Sequence, residues 1–459
     1  MSSTTPPSLE TQNEPNHLAL KATPCGTNGA ADVTCVLGDR IVHRDRFVPA
    51  KASDRRRFAA AIIEKLGDAC AVDSGMLNQE LIRVAEQLDA RDSSGDMSGQ
   101  SAQDLTELPA SSVTRPELII RQDLSAIAIP KLCQAGDKVV GEWAHYMRIG
   151  QERRCEIVTD RLSLPGDEIL WLSPQPADPT AGDVRDFNRW SVASRQQWLE
   201  GAVTPSTSDV LRLVAERIDR YIVLPPPYAK EHGLTLAAWV MMTYVYPALP
   251  AVPYLYLSGP ANSGKTRTMD VLSRLVFRPL MTGNATAATI FRSKHAYGGV
   301  MLLDEVERMG DSRSPDVLEI RSILLTGYRR GGRASRMEPS GDTYRTASFD
   351  CYGPVVLGAI RGLPPALASR CITVRLLRAS KGDPQSNRSM DDSPVDATRV
   401  LDALHCWAID YGHQAISSPM PSTSLANRDA ELWGPLMQIV AHTKDGWAIH
   451  QPSRTTTTR

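Results

Sequence analysis

The sequence has no excess of charge, no paired cysteines and no N-terminal signal segment. Its 459 residues carry 51 Lys and Arg against 52 Asp and Glu. This balance excludes a uniformly basic nucleic-acid coat protein and an acidic solvating tail. The eight cysteines stand singly, which disfavours zinc ribbons and CxxC redox motifs. The polar, proline-bearing start predicts a cytoplasmic protein with free thiols.

The sequence also lacks a convincing membrane span, although one stretch is similar to one. From Leu234 to Ser258 the chain carries no charged residue, and a hydropathy window of this length would indicate a transmembrane helix. Three prolines between positions 247 and 253 interrupt the stretch. We therefore expect a buried helix over 234–246, a proline turn and a buried strand, and no membrane partner.

Changes in composition and hydrophobic period divide the chain into eight segments. Apolar runs around a Gly38-Asp39 turn predict a strand pair, and a later stretch rich in Ser, Asp and Gln is typical of a linker. The predicted segments are a disordered start (1–30), a small α+β module (31–90), a linker (91–115), a β-rich module (116–178), a helical lead-in (185–250), an α/β core (251–380), a pair of C-terminal helices (396–446) and a tail (447–459).

The predicted α/β core alternates strands and helices, which is typical of proteins with a parallel sheet. A hairpin is expected over 333–349. The predicted strands of the core are PYLYLS (253–258), VMLLDE (300–305), PVVLGAI (354–360) and CITVRLL (371–377).

A glycine-rich loop follows the first of these strands and fits G-x-x-x-x-G-K-[ST] at every fixed position. Glycine allows such a loop to turn its N–H groups around phosphate oxygens, and the following helix N-terminus favours the same negative charge. Lys265 is expected to reach the β- and γ-phosphates, and the Thr266 hydroxyl to bind Mg²⁺. The predicted nucleotide site, with ATP and Mg²⁺ as cofactors, consists of Gly259, Pro260, Ala261, Asn262, Ser263, Gly264, Lys265 and Thr266.

Downstream of the loop, four apolar residues end in the acids Asp304 and Glu305. A buried strand would deliver the Asp304 carboxylate to the metal and Glu305 to the water that attacks the γ-phosphate. The alternative is an ordinary strand that ends in a solvated acid pair. The separation between loop and acids disfavours a transporter-type ATPase, and no Asn-Lys-x-Asp guanine-binding motif occurs. A hydrolytic ring-type ATPase remains.

Several motifs, in this order, resemble an ATPase family of plasmid- and phage-type primase–helicase proteins, related to AAA+ and superfamily 3 helicases. The resemblance covers about residues 205–446, and no primase motif is visible before it. It implies an α/β fold with a P-loop NTPase core of AAA+ type and a C-terminal helical lid. The motifs after the phosphate loop are GYRRGGR (327–333), FDCYGP (349–354), LPPALASRCI (363–372) and NRDAELWGPL (427–436).

The same resemblance implies roles for two arginines. Arg370 matches the arginine finger that closes the neighbouring subunit's site, and Arg428 resembles the lid arginine that senses the γ-phosphate. A surface arginine and a helix-end salt bridge are the respective alternatives. AAA+ proteins usually carry a polar residue after the strand that follows the acid pair, whereas this chain has Gly358-Ala359-Ile360. Either another group orients the water or hydrolysis is slow.

A basic segment over 321–345 holds six arginines against two acids, a local balance of +4. In ring helicases the hairpin after the acid strand faces the pore, so arginines here are expected to track a DNA backbone, with Tyr328 or Tyr344 stacking on bases. The alternative is that some of them cap a helix C-terminus and the rest are solvated. The candidate DNA contacts are Arg329, Arg330, Arg333, Arg336 and Arg345.

Together these features favour an oligomeric Mg²⁺-dependent ATPase that translocates on or remodels DNA during mobile-element replication. The expected partners are single-stranded DNA or a DNA fork, further copies in a ring, and a separate primase. A nucleotide-gated scaffold, which recruits a replication or defence partner with little turnover, is the alternative from another class. A third hypothesis is a degraded or truncated element protein, suggested by the low-complexity end.

Overall fold

Two units divide the chain, Met1–Glu107 and Leu108–Arg459. The computed structural model describes residues 18–24, 31–37, 40–48, 51–66, 75, 77–84, 113–115, 117–135, 138–158, 161–164, 169–172, 187–283, 285–304, 306, 314–340, 343–360, 362–390, 393–419 and 425–443.

The first unit is an antiparallel sheet with helices. Strands β1 (Leu18–Pro24), β2 (Ala31–Leu37) and β3 (Arg40–Phe47) pair in that order. Helix α1 (Ala52–Leu66) follows, and residues 77–84 are also helical. The strand pair and the two helices predicted for this region are therefore confirmed.

The core of the first unit follows the periods of its elements. Val33 and Cys35 of β2 are fully buried at alternate positions, and Phe58 and Ile62 of α1 are buried four residues apart. A strand repeats every two residues and a helix every three or four, so each element turns one apolar face to the other. This unit carries no residue of the predicted nucleotide site.

Strand β1 corrects one expectation. The first thirty residues were expected to be disordered, whereas residues 18–24 pair with β2 over seven positions. Leu20 and Ala22 pack against the core of this unit. A short run of modest hydrophobicity becomes ordered because a neighbouring strand supplies backbone partners, which composition does not reveal. Residues 1–17 and 25–30 lie outside the described part of the chain.

The second unit begins with the β-rich module. The linker predicted over 91–115 lies outside the described residues up to position 112. A three-stranded sheet has the order β4-β10-β9, and a separate antiparallel sheet has the order β5-β6-β7-β8. The strands are β4 (Val113–Thr114), β5 (Leu118–Ile120), β6 (Leu124–Ala135), β7 (Lys138–Ile149), β8 (Glu152–Ile157), β9 (Arg161–Ser163) and β10 (Ile169–Leu172).

Three helices and a single 3₁₀ turn (Tyr246–Ala248) lead into the α/β core. Ser206 and Asp209 form a capping box that fixes the start of the second helix. The third is buried continuously from Leu236 to Met242, which accounts for the uncharged stretch. Within the described ranges, no helix is both long and apolar enough to cross a bilayer. The helices are α2 (Val192–Leu199), α3 (Thr207–Tyr221) and α4 (Ala229–Met242).

The α/β core carries seven strands and four helices. The strands are β11 (Tyr254–Ser258), β12 (Pro279–Thr282), β13 (Val300–Leu303), β14 (Arg333–Ser340), β15 (Thr343–Asp350), β16 (Val355–Ala359) and β17 (Cys371–Arg375). The helices are α5 (Lys265–Ser273), α6 (Ala287–Tyr297), α7 (Pro315–Thr326) and α8 (Pro365–Ala368).

Five of these strands form one parallel sheet in the order β12-β13-β16-β11-β17, and β14 and β15 form a separate antiparallel hairpin. The four predicted strands and the predicted hairpin are confirmed. Strand β12 was missed because a four-residue run that opens with proline gives neither length nor alternation. The parallel pairing gathers the carboxyl ends of all five strands at one edge, where α/β proteins bind their ligands.

Four helices complete the second unit: α9 (Pro384–Asn387), α10 (Pro394–Asp410), α11 (Gly412–Ser417) and α12 (Asn427–Ala441). The lid expected from the resemblance is not a separate layer, because α10 packs on α3 and β6 and shares their hydrophobic core. Trp407 of α10 is fully buried, and its Nε1 donates to Thr207 Oγ1 at 3.0 Å.

A buried carboxylate joins three parts of this unit. Asp410 Oδ2, on α10, accepts hydrogen bonds from Arg153 Nη2 at 2.7 Å and from Trp198 Nε1 at 3.0 Å. The Thr204 hydroxyl donates to the same oxygen. Since Arg153 lies on β8 and Trp198 on α2, the carboxylate connects the β-rich module to the helical layer.

The substitution Asp410→Asn should lower the free energy of unfolding of the second unit by about 2–4 kcal/mol, because it leaves Arg153 without its buried counter-charge. Urea unfolding followed by tryptophan fluorescence measures this, since all eight tryptophans lie in the second unit. The control is Asp123→Asn, which removes an exposed pair with Arg121 and should cost at most about 1 kcal/mol. Equal shifts for the two variants would contradict the assignment.

Candidate nucleotide site

The phosphate loop lies at the carboxyl edge of the sheet, between Ser258 at the end of β11 and Lys265 at the start of α5. Gly264 has φ of 86° and Asn262 has φ of 62°. Glycine adopts this left-handed region freely, and asparagine is one of the few other residues that tolerate it. The backbone therefore makes two reversals within the loop, as a chain that wraps N–H groups around an anion must.

Gly259 allows the loop to lie close to the end of the sheet. A Cβ atom at this position would collide with the carbonyl oxygen of Leu376 and with the Ser263 hydroxyl. Each contact would force the loop away from the strand that follows β17. The first glycine of the motif is thus required by packing, and Gly264 by its dihedral angles.

Lys265 holds its ammonium group over the loop. Its Nζ donates to the carbonyl oxygens of Gly259 and Pro260, both at 2.9 Å. As the first residue of α5, it adds a full positive charge to the partial charge of the helix N-terminus. The loop and its lysine thus form a compact positive site.

Thr266 and Asp304, distant in sequence, meet beside this loop. Thr266 Oγ1 donates to Asp304 Oδ2 at 2.9 Å, because Asp304 directly follows β13 and both elements end at the same edge of the sheet. Asp270, one turn further along α5, adds negative charge. Burial raises the pKa of Asp270, with Arg274 opposing and Asp304 adding to the shift.

This donor set fits a magnesium ion that is carried by a nucleotide. Hydroxyl and carboxylate oxygens are the ligands Mg²⁺ prefers, and it usually binds one or two protein oxygens together with phosphate oxygens and water. Where the chain is described, no cluster of three His, Cys, Asp or Glu side chains is gathered for a metal. The protein by itself therefore offers only part of a coordination shell. Glu305 lies outside the described residues.

Gly358 explains why a polar residue is missing on the strand next to the acids. A Cβ atom at this position would lie 2.6 Å from Met269 Cε and 2.9 Å from Asp304 Oδ1. Any side chain here would displace the carboxylate or the helix α5. Glycine is what allows β16 to lie directly against Asp304, and the strand offers no room for a polar side chain at position 358.

A pocket of about 290 Å³ opens beside the loop. It is lined by the segment 221–223 between α3 and α4, by the loop and first turn of α5, and by Leu377 and Ala379 after β17. Apolar walls next to backbone polar groups are typical of sites for a flat organic ring. Its position next to the phosphate loop fits the base of a nucleotide.

Arg267 holds the walls of this pocket together, a role that the sequence did not indicate. Its Nε donates to the Tyr221 carbonyl at 2.9 Å, and its Nη2 donates to the carbonyls of Gln385 at 2.8 Å and Arg388 at 2.6 Å. The motif fixes Lys265 and Thr266 but leaves the next position free. An arginine there connects α3, α5 and α9.

Arg370 lies at the opposite edge of the sheet from the phosphate loop. Its carbonyl accepts from the backbone N–H of Tyr254, the first residue of β11, whereas the loop follows the last residue of that strand. The length of a strand therefore separates Arg370 from Lys265 of its own subunit.

Arg428 lies beside Arg370 and not at its own phosphate loop. The guanidinium carbons of the two arginines are 5.1 Å (Arg428) and 5.7 Å (Arg370) from the ring centroid of Tyr328. Arg428 also pairs with Glu431, at 3.4 Å, one helical turn away. The structure thus contradicts sensing of the γ-phosphate in its own subunit, because α12 packs near the start of β17 and away from its end.

Three of the five arginines proposed for DNA are engaged elsewhere. Arg329 pairs with Glu431, and Arg330 Nε donates to the Leu249 carbonyl at 3.1 Å, so neither lies on the hairpin. Arg336 folds back onto Glu319. Tyr328 is 1% exposed and cannot stack on a base.

The outer part of the hairpin keeps exposed groups. Arg333 donates from Nε to Ser348 Oγ at 2.7 Å near the base of the hairpin. Arg345, on β15, is exposed, and the neighbouring Tyr344 is 69% exposed with Met337 at 62%. The structure thus leaves one aromatic and two arginines of the predicted set on the accessible hairpin.

The substitution Gly358→Ala should lower the free energy of unfolding by about 1–3 kcal/mol, the usual cost of overpacking. It should also weaken ATP binding in magnesium but not in EDTA, because the added methyl group displaces Asp304 and leaves the loop intact. Calorimetric titrations under both conditions measure this. Gly362→Ala is the control, since its Cβ would meet nothing within 4 Å. Equal losses of affinity with and without magnesium would refute this account of Gly358.

No model of a known protein family matches the chain, and no curated protein sequence matches it. Three solved structures are similar in part. The apo A form of the C-terminal region of NrS-1 is 11% identical, over 58% of this chain and 63% of its own, with a TM-score of 0.30. A full-length MCM homolog from Methanopyrus kandleri is 10% identical over 79% and 81%, with a TM-score of 0.31. The S. cerevisiae Hsp104–ADP complex is 16% identical over 41% and 40%, with a TM-score of 0.27.

These TM-scores and identities are too low to define the fold or function of this chain. The chain covers less than two thirds of the first of the three structures. The architecture therefore rests on the chain's own strand order and on its phosphate loop.

Proposed function

We propose that this protein is a magnesium-dependent ATPase that works as a ring-shaped homo-oligomer on single-stranded DNA or a DNA fork. The observation that carries the proposal is the contact between Thr266 and Asp304 beside the phosphate loop. It unites the two sequence motifs at the ligand-binding edge of a parallel sheet. A role in mobile-element replication and a separate primase partner rest on the sequence resemblance alone.

The residues of the loop divide the work of binding ATP. The N–H groups of residues 259–264 and the Lys265 ammonium bind the phosphate oxygens, and the pocket next to them takes the base. Thr266 and Asp304 hold the metal, which neutralises charge on the β- and γ-phosphates when bound. Glu305, directly after Asp304 in sequence, accepts a proton from the attacking water.

The full site needs a second copy of the chain. Gly358 leaves no room for a polar group beside Asp304, so a single subunit stabilises the transition state poorly. Arg370 lies at the far edge of the sheet, where a head-to-tail assembly brings one copy's far edge to the next copy's loop. The arginine then supplies positive charge where the γ-phosphate leaves.

The hairpin is the proposed DNA contact. Tyr344 offers a ring for base stacking, and Arg333 and Arg345 offer charge for the backbone. The proposal narrows the five arginines to these two, since the other three are held by contacts within the chain. The second candidate function is a nucleotide-gated scaffold with little turnover, and the crowding at Gly358 favours it.

ATP turnover measured with and without single-stranded DNA tests the proposal. The purified chain should hydrolyse ATP in magnesium and should be stimulated by DNA in a salt-dependent manner. Lys265→Ala should abolish turnover, since the loop loses its cation. Tyr344→Ala should keep basal turnover and lose most of the stimulation, whereas Tyr228→Ala, another exposed tyrosine, should change neither.

ATP binding without turnover at any protein concentration would favour the scaffold. Turnover that DNA neither stimulates nor binds would overturn the DNA part of the proposal. Loss of stimulation in both tyrosine variants would show that the hairpin has no special role.

Mixing two inactive variants tests the position of Arg370. Arg370→Ala and Lys265→Ala subunits should each be inactive, and their mixture should recover part of the activity because some interfaces combine an intact loop with an intact arginine. The measurement is ATP turnover after co-assembly. Mixing Lys265→Ala with Arg212→Ala, which removes an exposed arginine on α3, shows how much intact loops alone contribute. Co-assembly without rescue would argue against an arginine that acts between subunits.

A further inference from the structure

Three arginines and one acid surround Tyr328 at the edge of the sheet opposite the phosphate loop. Arg370 and Arg428 lie over its ring, and the Tyr328 hydroxyl is 3.4 Å from Glu431 Oε2. The Glu431 carboxylate also pairs with Arg329 and, at 3.4 Å, with Arg428. We call these four charged residues and Tyr328 the arginine cluster.

The arginine cluster has more positive charge than its single acid can balance. Arg370 donates through Nη1 to the Ala366 carbonyl, while its buried Nε has no hydrogen-bond partner in the described part of the chain. Burial lowers the pKa of Arg370, and the charge of Arg428 adds to the effect. Side chains that repel one another in this way are stabilised by an anion between them.

Glu431 already shows what kind of group the arginine cluster receives. A carboxylate and a phosphate both present paired oxygens that guanidinium groups bind in a fork. The Glu431 side chain is 32% exposed, as is that of Arg428, so an incoming anion can reach both. The carboxylate occupies the place of an external ligand without filling the need of Arg370.

We propose that Glu431 is an internal counter-anion of the arginine cluster, and that it gives way to the terminal phosphate of a nucleotide bound by a second copy of the chain. The inference rests on the proposed function, because the phosphate comes from the neighbour's loop. It adds that Arg428 serves the neighbouring site together with Arg370. It also adds that each separate subunit blocks its own arginines.

The position of the arginine cluster favours nucleotide phosphate over DNA. Tyr254 begins β11 next to Arg370, and Ser258 ends the same strand at the loop, so the two edges face opposite ways. Head-to-tail copies therefore bring the arginine cluster of one to the loop of the next. The groups that suit DNA lie on the separate hairpin, at Tyr344 and Arg345.

Binding of tripolyphosphate tests the arginine cluster without relying on turnover. In a Lys265→Ala background, which disables the loop, Glu431→Gln should tighten tripolyphosphate binding about two- to fivefold, the range expected from removing an exposed ion pair. Adding Arg428→Ala should abolish the gain. Glu80→Gln is the control, because it breaks a similar pair with Arg83, three residues apart, in the first unit.

The oligomeric reaction provides the second measurement. With an intact loop, Glu431→Gln should lower the protein concentration for half-maximal ATP turnover by a similar factor, because neighbours no longer compete with the internal acid. Thermal unfolding confirms that the variant is folded. Arg428→Lys, which keeps the charge and loses the fork, should raise that concentration.

Several results would overturn the inference. Equal tripolyphosphate affinity with and without Glu431→Gln would show that the acid blocks nothing. Displacement of tripolyphosphate by an oligonucleotide would assign the arginine cluster to DNA instead. If the wild-type chain binds no ATP, the proposed function fails, while the tripolyphosphate titration still decides whether Glu431 guards an anion site.

Discussion

Parallel pairing of β11 with β16 and β17 is the constraint on which the rest of the chemistry depends. It sends all carboxyl ends to one edge, where the phosphate loop meets Asp304. It sends the amino ends to the other edge, where Arg370 lies. A single subunit therefore holds two complementary half-sites that cannot reach each other, and assembly of copies is the simplest way to join them.

The sheet keeps this geometry because its surroundings are buried and their polar groups are satisfied. Trp239 Nε1 donates to the Pro253 carbonyl at 2.8 Å, and the Tyr254 hydroxyl donates to the Leu324 carbonyl at 2.8 Å. Large aromatic side chains thus fill the core while their polar ends hold the loops on either side. The uncharged stretch that mimics a membrane span is the helix and strand that make these contacts.

Much of the α/β core follows from local pattern. The four longer strands, the hairpin and the loop are readable because apolar runs and glycine spacing are local properties. Strand β1 and strand β12 are not, because each is short and gains its order from a partner strand. The predicted DNA arginines were too many for the same kind of reason, since charge in the sequence does not reveal that Arg336 pairs with Glu319.

The sequence by itself determined the phosphate loop, the acid that follows β13 and the alternation of strands and helices, because each depends on neighbours along the chain. Only the tertiary structure decided that Gly358 lies against Asp304, and that Arg428 joins Arg370 at the far edge. Those contacts join residues far apart in sequence, so strand order and helix packing set them.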